Sequence, residues 1–292
     1  MKVAASGVNR ADLSQIAGRY PPPPGEPEIL GLEISGTRVD SGEEVCALLA
    51  GGGHAEYVAA PRGQVFPRPA GVDAVSAAGI PEAFLTAFVN LVCEGGLASG
   101  GRALVHAGAS GVGLAVIRTA RYLGASAAAT TRSAAKLEAI RSAGAEIAID
   151  STAESFAEAV EGRWGRNAVD VVLDPVGAAT LADDLRVLAP LGRVVFLATL
   201  SGASAALDLS ALMGKRARLI GSMLRSRPRE EKARLIARFR DEILPGFSSG
   251  VLSVAIDSVF PAERAAEAFS RMAANANTGK ILLRWGEAPA PG

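Results

Sequence analysis

From about Leu97 onward the chain alternates short apolar runs with segments of three-to-four spacing, and this alternation limits the fold more than any other feature of its 292 residues. The runs are RALVHA, GASAAAT, AEIAID, AVDVVLD and GRVVFLA; between them lie series such as Val112, Val116, Ala120, Leu123 and Leu137, Ile140, Ala143. Gly124 and Gly144 stand where a helix would stop, just before the next run. A parallel crossover needs a dozen or more residues and is usually helical. The alternation therefore predicts an α/β fold with a doubly wound parallel sheet covered on both faces.

The flanking segments read differently. ILGLEISGTRV, EEVCALL and AEYVAAP are strand-like runs divided by Gly-rich turns, with one short helix over Asn9–Ala17, which predicts a mostly antiparallel lobe. LSVAIDSVF, PAERAAEAFSRMAA and GKILLRW follow as strand, helix and strand and are expected to return to that lobe, with GEAPAPG as a frayed tail. The resulting partition is 1–80, first part of the β-rich lobe; 81–225, the doubly wound domain; and 226–292, a linking helix and return.

Composition narrows the partners. With 49% hydrophobic residues the chain is long enough to bury a real core, and 30 Lys and Arg balance 30 Asp and Glu without a block of one sign. Nucleic acid and anionic membranes lose their electrostatic attraction, leaving a small molecule as the expected partner. Two cysteines without CxxC spacing, no leader-like start and no apolar span point to the cytoplasm.

In HAGASGVG, residues 106–113, Gly108, Gly111 and Gly113 fall between a strand and a helix start, where amides around Gly111 and Val112 can cradle a diphosphate. The spacing is not a strict G-x-G-x-x-G, and packing alone would also explain such a turn. At the end of the second strand, where an NAD site carries a carboxylate for the ribose, the sequence offers Thr131, Arg132, Ser133 and Lys136 instead. Hydroxyls and cations suit a 2′-phosphate, so NADP(H) is the expected cofactor; an ordinary solvated turn is the alternative.

Taken together, AASGVNRADLSQIAGRYPPPPG, ILGLEISG, GGGHAEYV, IPEAFLTAF, VHAGASGVG, GSMLRSR and NTGKILL resemble the zinc-free, zeta-crystallin-like quinone oxidoreductase branch of the medium-chain dehydrogenase/reductase superfamily. The resemblance runs nearly end to end. It implies a GroES-like catalytic lobe, a Rossmann lobe, NADPH in the cleft, and hydride transfer to a quinone or activated double bond. It implies no metal: Asn9 and Leu32 stand where zinc-dependent cousins carry Cys and His, and two cysteines cannot furnish a four-Cys site. His54 and His106 are lone histidines and weak ligand candidates.

The resemblance also implies residue roles. Tyr20 is similar to a tyrosine at the cleft mouth that stacks on or donates to a flat acceptor, although packing against the proline run would explain it too. Asn9 matches an asparagine near the nicotinamide, while its position, with Asp12 three residues on, equally suits a helix N-cap. Ser110 caps the glycine-loop helix or reaches the substrate side of the cofactor. Thr86, Phe196, Thr199, Arg225, Asn277 and Lys280 match cofactor-lining positions. Asp150 and Ser151 stand where relatives have a tyrosine over the adenosine phosphate, so the preference for NADPH over NADH is expected to be less pronounced.

Relative to that family the first strands are missing and SGTRVDSGEEV is short, so the chain reads as N-terminally truncated, with lower stability than an extended form. Three functions remain open: an NADPH-dependent quinone or 2-alkenal reductase, an enoyl-thioester reductase of polyketide or fatty-acid assembly, and an NADPH-binding protein with little turnover. A homodimer paired through the strand near Ala217–Ser222 is expected from the family arrangement.

Overall fold

A computed structural model describes residues 1–286; the remainder of the tail read as frayed lies outside the described residues. The chain divides into two compact units, one made of Met1–Leu85 and the chain from Leu224 on, the other of Thr86–Met223.

The first unit begins with β1 (Lys2–Val8), α1 (Arg10–Ile16), β2 (Glu33–Thr37), β3 (Glu44–Leu48), β4 (Val65–Pro67), α2 (Ala74–Ala77) and the start of α3 (Pro81–Phe88). The second runs through β5 (Arg102–Val105), α4 (Gly111–Tyr122), β6 (Ser126–Thr131), α5 (Leu137–Ser142), β7 (Ile147–Asp150), α6 (Phe156–Trp164), β8 (Val169–Asp174), α7 (Leu181–Val187), β9 (Leu188–Phe196), α8 (Leu209–Lys215) and β10 (Arg218–Gly221). The chain then returns to the first unit as α9 (Arg229–Glu242), α10 (Leu244–Ser248), β11 (Ile256–Pro261), α11 (Ala265–Ala273) and β12 (Lys280–Arg284).

In the second unit six parallel strands take the order β10-β9-β8-β5-β6-β7. This is the doubly wound sheet that the alternation predicts. Its central strand β8 is a nearly continuous buried run, Val169 and Val171–Leu173, as expected where helices cover both faces. Val116, Ala120 and Ile140 of the predicted helical stripes are fully buried, and Gly124 (φ 77°) and Gly144 (φ 103°) end their helices in the left-handed region. Phe156, Val160, Val172, Leu185 and Val194 belong to one buried core cluster of this unit.

The first unit carries a second sheet, β11-β12-β1-β2-β3-β4, antiparallel except for β11 and β12. That parallel pair fits the strand, helix and strand expected of the return: α11 supplies the crossover helix, packing Ala268 and Met272 onto Val8, Ile281 and Leu283. AEYVAAP is not a regular strand. It meets β1 through a bridge between Tyr57 and Lys2, and β12 takes that edge of β1 from Ala5 onward.

Candidate functional site

The candidate residues fall on both units. In the second, the loop His106–Ser110 leaves β5, whose neighbours β6 and β8 lead outward in opposite directions; this is the switch point where open α/β sheets bind ligands. Ser110 caps α4, its Oγ accepting the Gly113 N–H at 3.0 Å. The first-turn amides at Gly111 and Val112 have no intrahelical acceptor and no hydrogen-bond partner among the described residues, which suits them to an anion. Gly113 is required by close approach: a Cβ there would lie 2.5 Å from the Ala107 carbonyl oxygen. Ala107 itself holds φ at 53°, unusual for a residue with a side chain.

Thr131 ends β6 opposite Asp150. Its carbonyl accepts from the amide (2.9 Å) and hydroxyl (3.1 Å) of Ser151. The Asp150 carboxylate is occupied by the amide and hydroxyl of Thr152, whose hydrogen bonds lower its pKa. Arg132 is exposed and has no ion pair or hydrogen bond among the described residues, and Ser133 and Lys136 follow it, partly buried. Phe196 closes β9 partly buried, and Thr199 beyond it is exposed.

Beneath the loop lies a fully buried polar group that the sequence did not announce. His106 Nε2 is 2.8 Å from Asp184 Oδ1, and Nδ1 is 2.9 Å from Thr130 Oγ1. Asp174 accepts from the amides of Val176 and Gly177 and from the Thr180 hydroxyl. Burial would lower the pKa of His106, but Asp184 outweighs it and raises the value; burial pushes Asp184 up to about 6 against the pull of His106. His106, Asp174 and Asp184 form the one group of three possible metal ligands among the described residues; of these, His106 and Asp184 are bonded to each other, while Asp184 Oδ2 has no hydrogen-bond partner among the described residues.

The first unit gathers a second polar cluster. Glu33 Oε1 accepts from Asn9 Nδ2 at 3.0 Å and from the Lys280 ammonium, while Oε2 accepts the Glu82 amide at 2.8 Å. Lys280 Nζ also donates to Asn9 Oδ1 at 2.7 Å. Asn9 thus spends its side chain on this cluster, and the helix-entry bond comes from Asp12, whose Oδ2 accepts the Asn9 N–H at 2.7 Å. Gly7 is obligatory here, since a Cβ would fall 2.1 Å from Glu33 Oε1. Asp12 also accepts the Gly31 amide and stands 3.7 Å from His54 Nε2, whose Nδ1 pairs with Ser6 Oγ at 2.9 Å.

Tyr20 lies under the Arg225 guanidinium, 5.1 Å from ring centroid to Cζ. Burial raises its pKa, Glu82 adds to the rise, and Arg225 opposes it. Arg225 is itself buried and donates to the carbonyls of Ala50 and Tyr20 and to Gln15 Oε1. Asn277 donates to the Gly279 carbonyl, and Thr86 accepts from Asn90 through its own carbonyl. The structure therefore joins Asn9 to Lys280 and Tyr20 to Arg225, and it gathers the Gly108–Gly113 loop with Ser110 separately. Glu33, Glu82 and the His106–Asp184 pair went unread in the sequence. The only signal for the first two was a Glu in each of the motifs GLEISG and IPEAFLTAF.

A cavity of about 520 Å³ in the second unit, lined by Arg166, Arg186 and Lys215 among others, includes none of the nominated residues.

Residues 111–241 match the family described as zinc-binding dehydrogenase. The quinone oxidoreductase of Thermus thermophilus, solved alone and with NADPH, superposes with a TM-score of 0.83 at 30% identity, over 97% of this chain and 90% of that one. This chain belongs to the quinone oxidoreductase-like branch of the medium-chain dehydrogenase/reductase superfamily. Within the superfamily, the rat synaptic vesicle membrane protein VAT-1 homolog is 29% identical over 97% of this chain and 76% of its own length. The spectinabilin polyketide synthase system protein NorB of Streptomyces orinoci is 33% identical over 96% of this chain, which spans 13% of that protein. The parallel sheet of this chain carries the glycine-rich turn at its switch point. No helix among the described residues is long and apolar enough to cross a membrane.

Proposed function

We propose that the protein is a zinc-independent, NADPH-dependent reductase of quinones or α,β-unsaturated carbonyls. The observation that carries this reading is the turn at the head of α4, with free first-turn amides and the unpaired Arg132 at the end of β6. The similarity to an oxidoreductase crystallised with NADPH supports the same coenzyme. When bound, the dinucleotide supplies the hydride, and the chain's residues bind, orient and manage protons. The amides at Gly111 and Val112 would hold the diphosphate, and Arg132, Thr131, Ser133 and Lys136 the 2′-phosphate; Thr86, Phe196, Thr199 and Asn277 remain proposed lining residues.

Tyr20, its ring fixed beneath Arg225, offers a flat acceptor a stacking face and a phenolic donor. Asn9, its side chain engaged by Glu33 and Lys280, is proposed as a positioning residue that acts through this cluster. The donor set does not fit zinc. Leu32 is a buried hydrocarbon, the Asn9 amide is already donating, and the Lys280 ammonium occupies Glu33. Without a Lewis acid, reduction of an already electrophilic acceptor is the chemistry the residues suit.

The similarity to a polyketide synthase protein favours an enoyl-thioester reductase as the second reading. Steady-state rates with 1,4-naphthoquinone, trans-2-hexenal and crotonyl-coenzyme A separate the two, and NADPH binding without consumption in any of them would leave a binding protein. Two further proposals accompany the first. Assembly as a homodimer through β10 is supported by that strand's open edge and by Leu209 and Met213, 60% and 68% exposed on α8. Action in the cytoplasm suits a chain with two cysteines and no CxxC spacing.

A further inference from the structure

We propose that Glu82 is the proton donor of the reduction. The inference rests on the reading that the acceptor lies by Tyr20, and it goes on to name the group that completes the chemistry. Hydride delivery to an unsaturated carbonyl leaves an enolate, and delivery to a quinone leaves a hydroquinone anion; each must collect a proton.

Glu82 sits in the first turn of α3, partly buried, with its amide fixed by Glu33 Oε2 at 2.8 Å. Its carboxyl has no hydrogen-bond partner among the described residues. The charged and titratable groups around it come from four elements or their flanks: Asp12 on α1 and Tyr20 after it, Glu33 on β2, Lys232 on α9 and Lys280 on β12. Glu33 is already paired with Lys280, together with Asn9. A second carboxylate beside it is left without compensation, so Glu82 keeps its proton: burial, then the charge of Glu33, push it up to about 8, with Lys280 and Lys232 opposing and Asp12 adding. At neutral pH this is a carboxylic acid close to Tyr20, matched to giving a proton up.

In the step, hydride adds to the β-carbon and the π pair moves to the carbonyl oxygen. The Glu82 O–H bond then breaks, its proton passing to the α-carbon (for a quinone, to the oxygen) while its electron pair stays on the carboxylate. Solvent reprotonates Glu82. The coenzyme loses two electrons, the acceptor gains two, and one proton is taken from water.

The test compares wild type with Glu82→Gln and Lys232→Met. In the free protein, infrared difference spectra should show a carboxylic-acid band titrating near pH 8 that is missing in Glu82→Gln. With trans-2-hexenal, kcat/KM in wild type should fall above the same pH. Glu82→Gln should lose about 100-fold and its alkaline limb, with NADPH affinity and thermal midpoint kept. Lys232→Met, which removes an opposing cation, should move both the band and the limb to higher pH. An unchanged rate and pH profile in Glu82→Gln, or no band near pH 8 in wild type, overturns the assignment. Absence of turnover in wild type with hexenal, naphthoquinone and crotonyl-coenzyme A alike overturns the underlying reading instead.

Discussion

At the scale of single residues, much of the coenzyme half of the site depends on atoms that are absent. Gly113 leaves no room for a methyl group against the Ala107 carbonyl, and the obstruction is backbone. Gly113→Ala should therefore displace the turn, costing about 1–3 kcal/mol of stability, as overpacking does. Denaturant melts should register that loss together with weaker NADPH binding in calorimetry. Arg132 is the opposite case: an exposed cation with no internal role. Arg132→Ala should leave stability and NADH affinity unchanged and weaken NADPH by roughly 10-fold or more, the value of a charge-assisted hydrogen bond. Equal losses for the two coenzymes would remove the 2′-phosphate assignment. Both residues are nominated by the sequence alone, because a glycine turn and a missing carboxylate are local signals. Asn9 was only half legible. Its N-cap position is evident from NRAD, yet its side chain turns to Glu33 and Lys280, residues brought to it by β2 and β12.

At the scale of elements, the His106–Asp184 pair ties the end of β5 to α7, and Thr130 adds β6. Both members hold a proton more tightly folded than unfolded, Asp184 at about 6 against an ordinary 3.8 and His106 above an ordinary 6.5. The sign follows from linkage. Their contribution is complete at low pH and declines as pH rises through about 6 for Asp184 and then through the raised value of His106. Unfolding free energies between pH 5 and 8 should fall less steeply in the double variant His106→Gln, Asp184→Asn than in wild type; equal slopes would contradict the assignment. His106→Ala alone strands a buried carboxylate and should cost about 3 kcal/mol or more. A lone histidine at a strand end gave no hint of this, since its partner lies 78 residues away. The strand-like run AEYVAAP misled for a related reason. Alternation alone cannot say that β12 already occupies the edge of β1.

At the scale of the whole molecule, the coenzyme should act as a folding ligand. NADPH at one hundred times its dissociation constant should add about 2.7 kcal/mol and raise the thermal midpoint by about 5 °C or more. NADH at the same concentration should do less, and an unmoved midpoint with both would remove the dinucleotide site. Light scattering should find a dimer, and a monomer at all concentrations would remove the pairing proposed for β10. By itself the sequence determined the doubly wound sheet, the β-rich lobe and the glycine turn, because hydrophobic period, helix stops and backbone freedom are properties of neighbours along the chain. Tertiary structure decided which charges meet: Glu33 with Lys280 across 247 residues, and Glu82 beside them both. Proton affinities are set by desolvation and by charges close in space, and neither is written in local order.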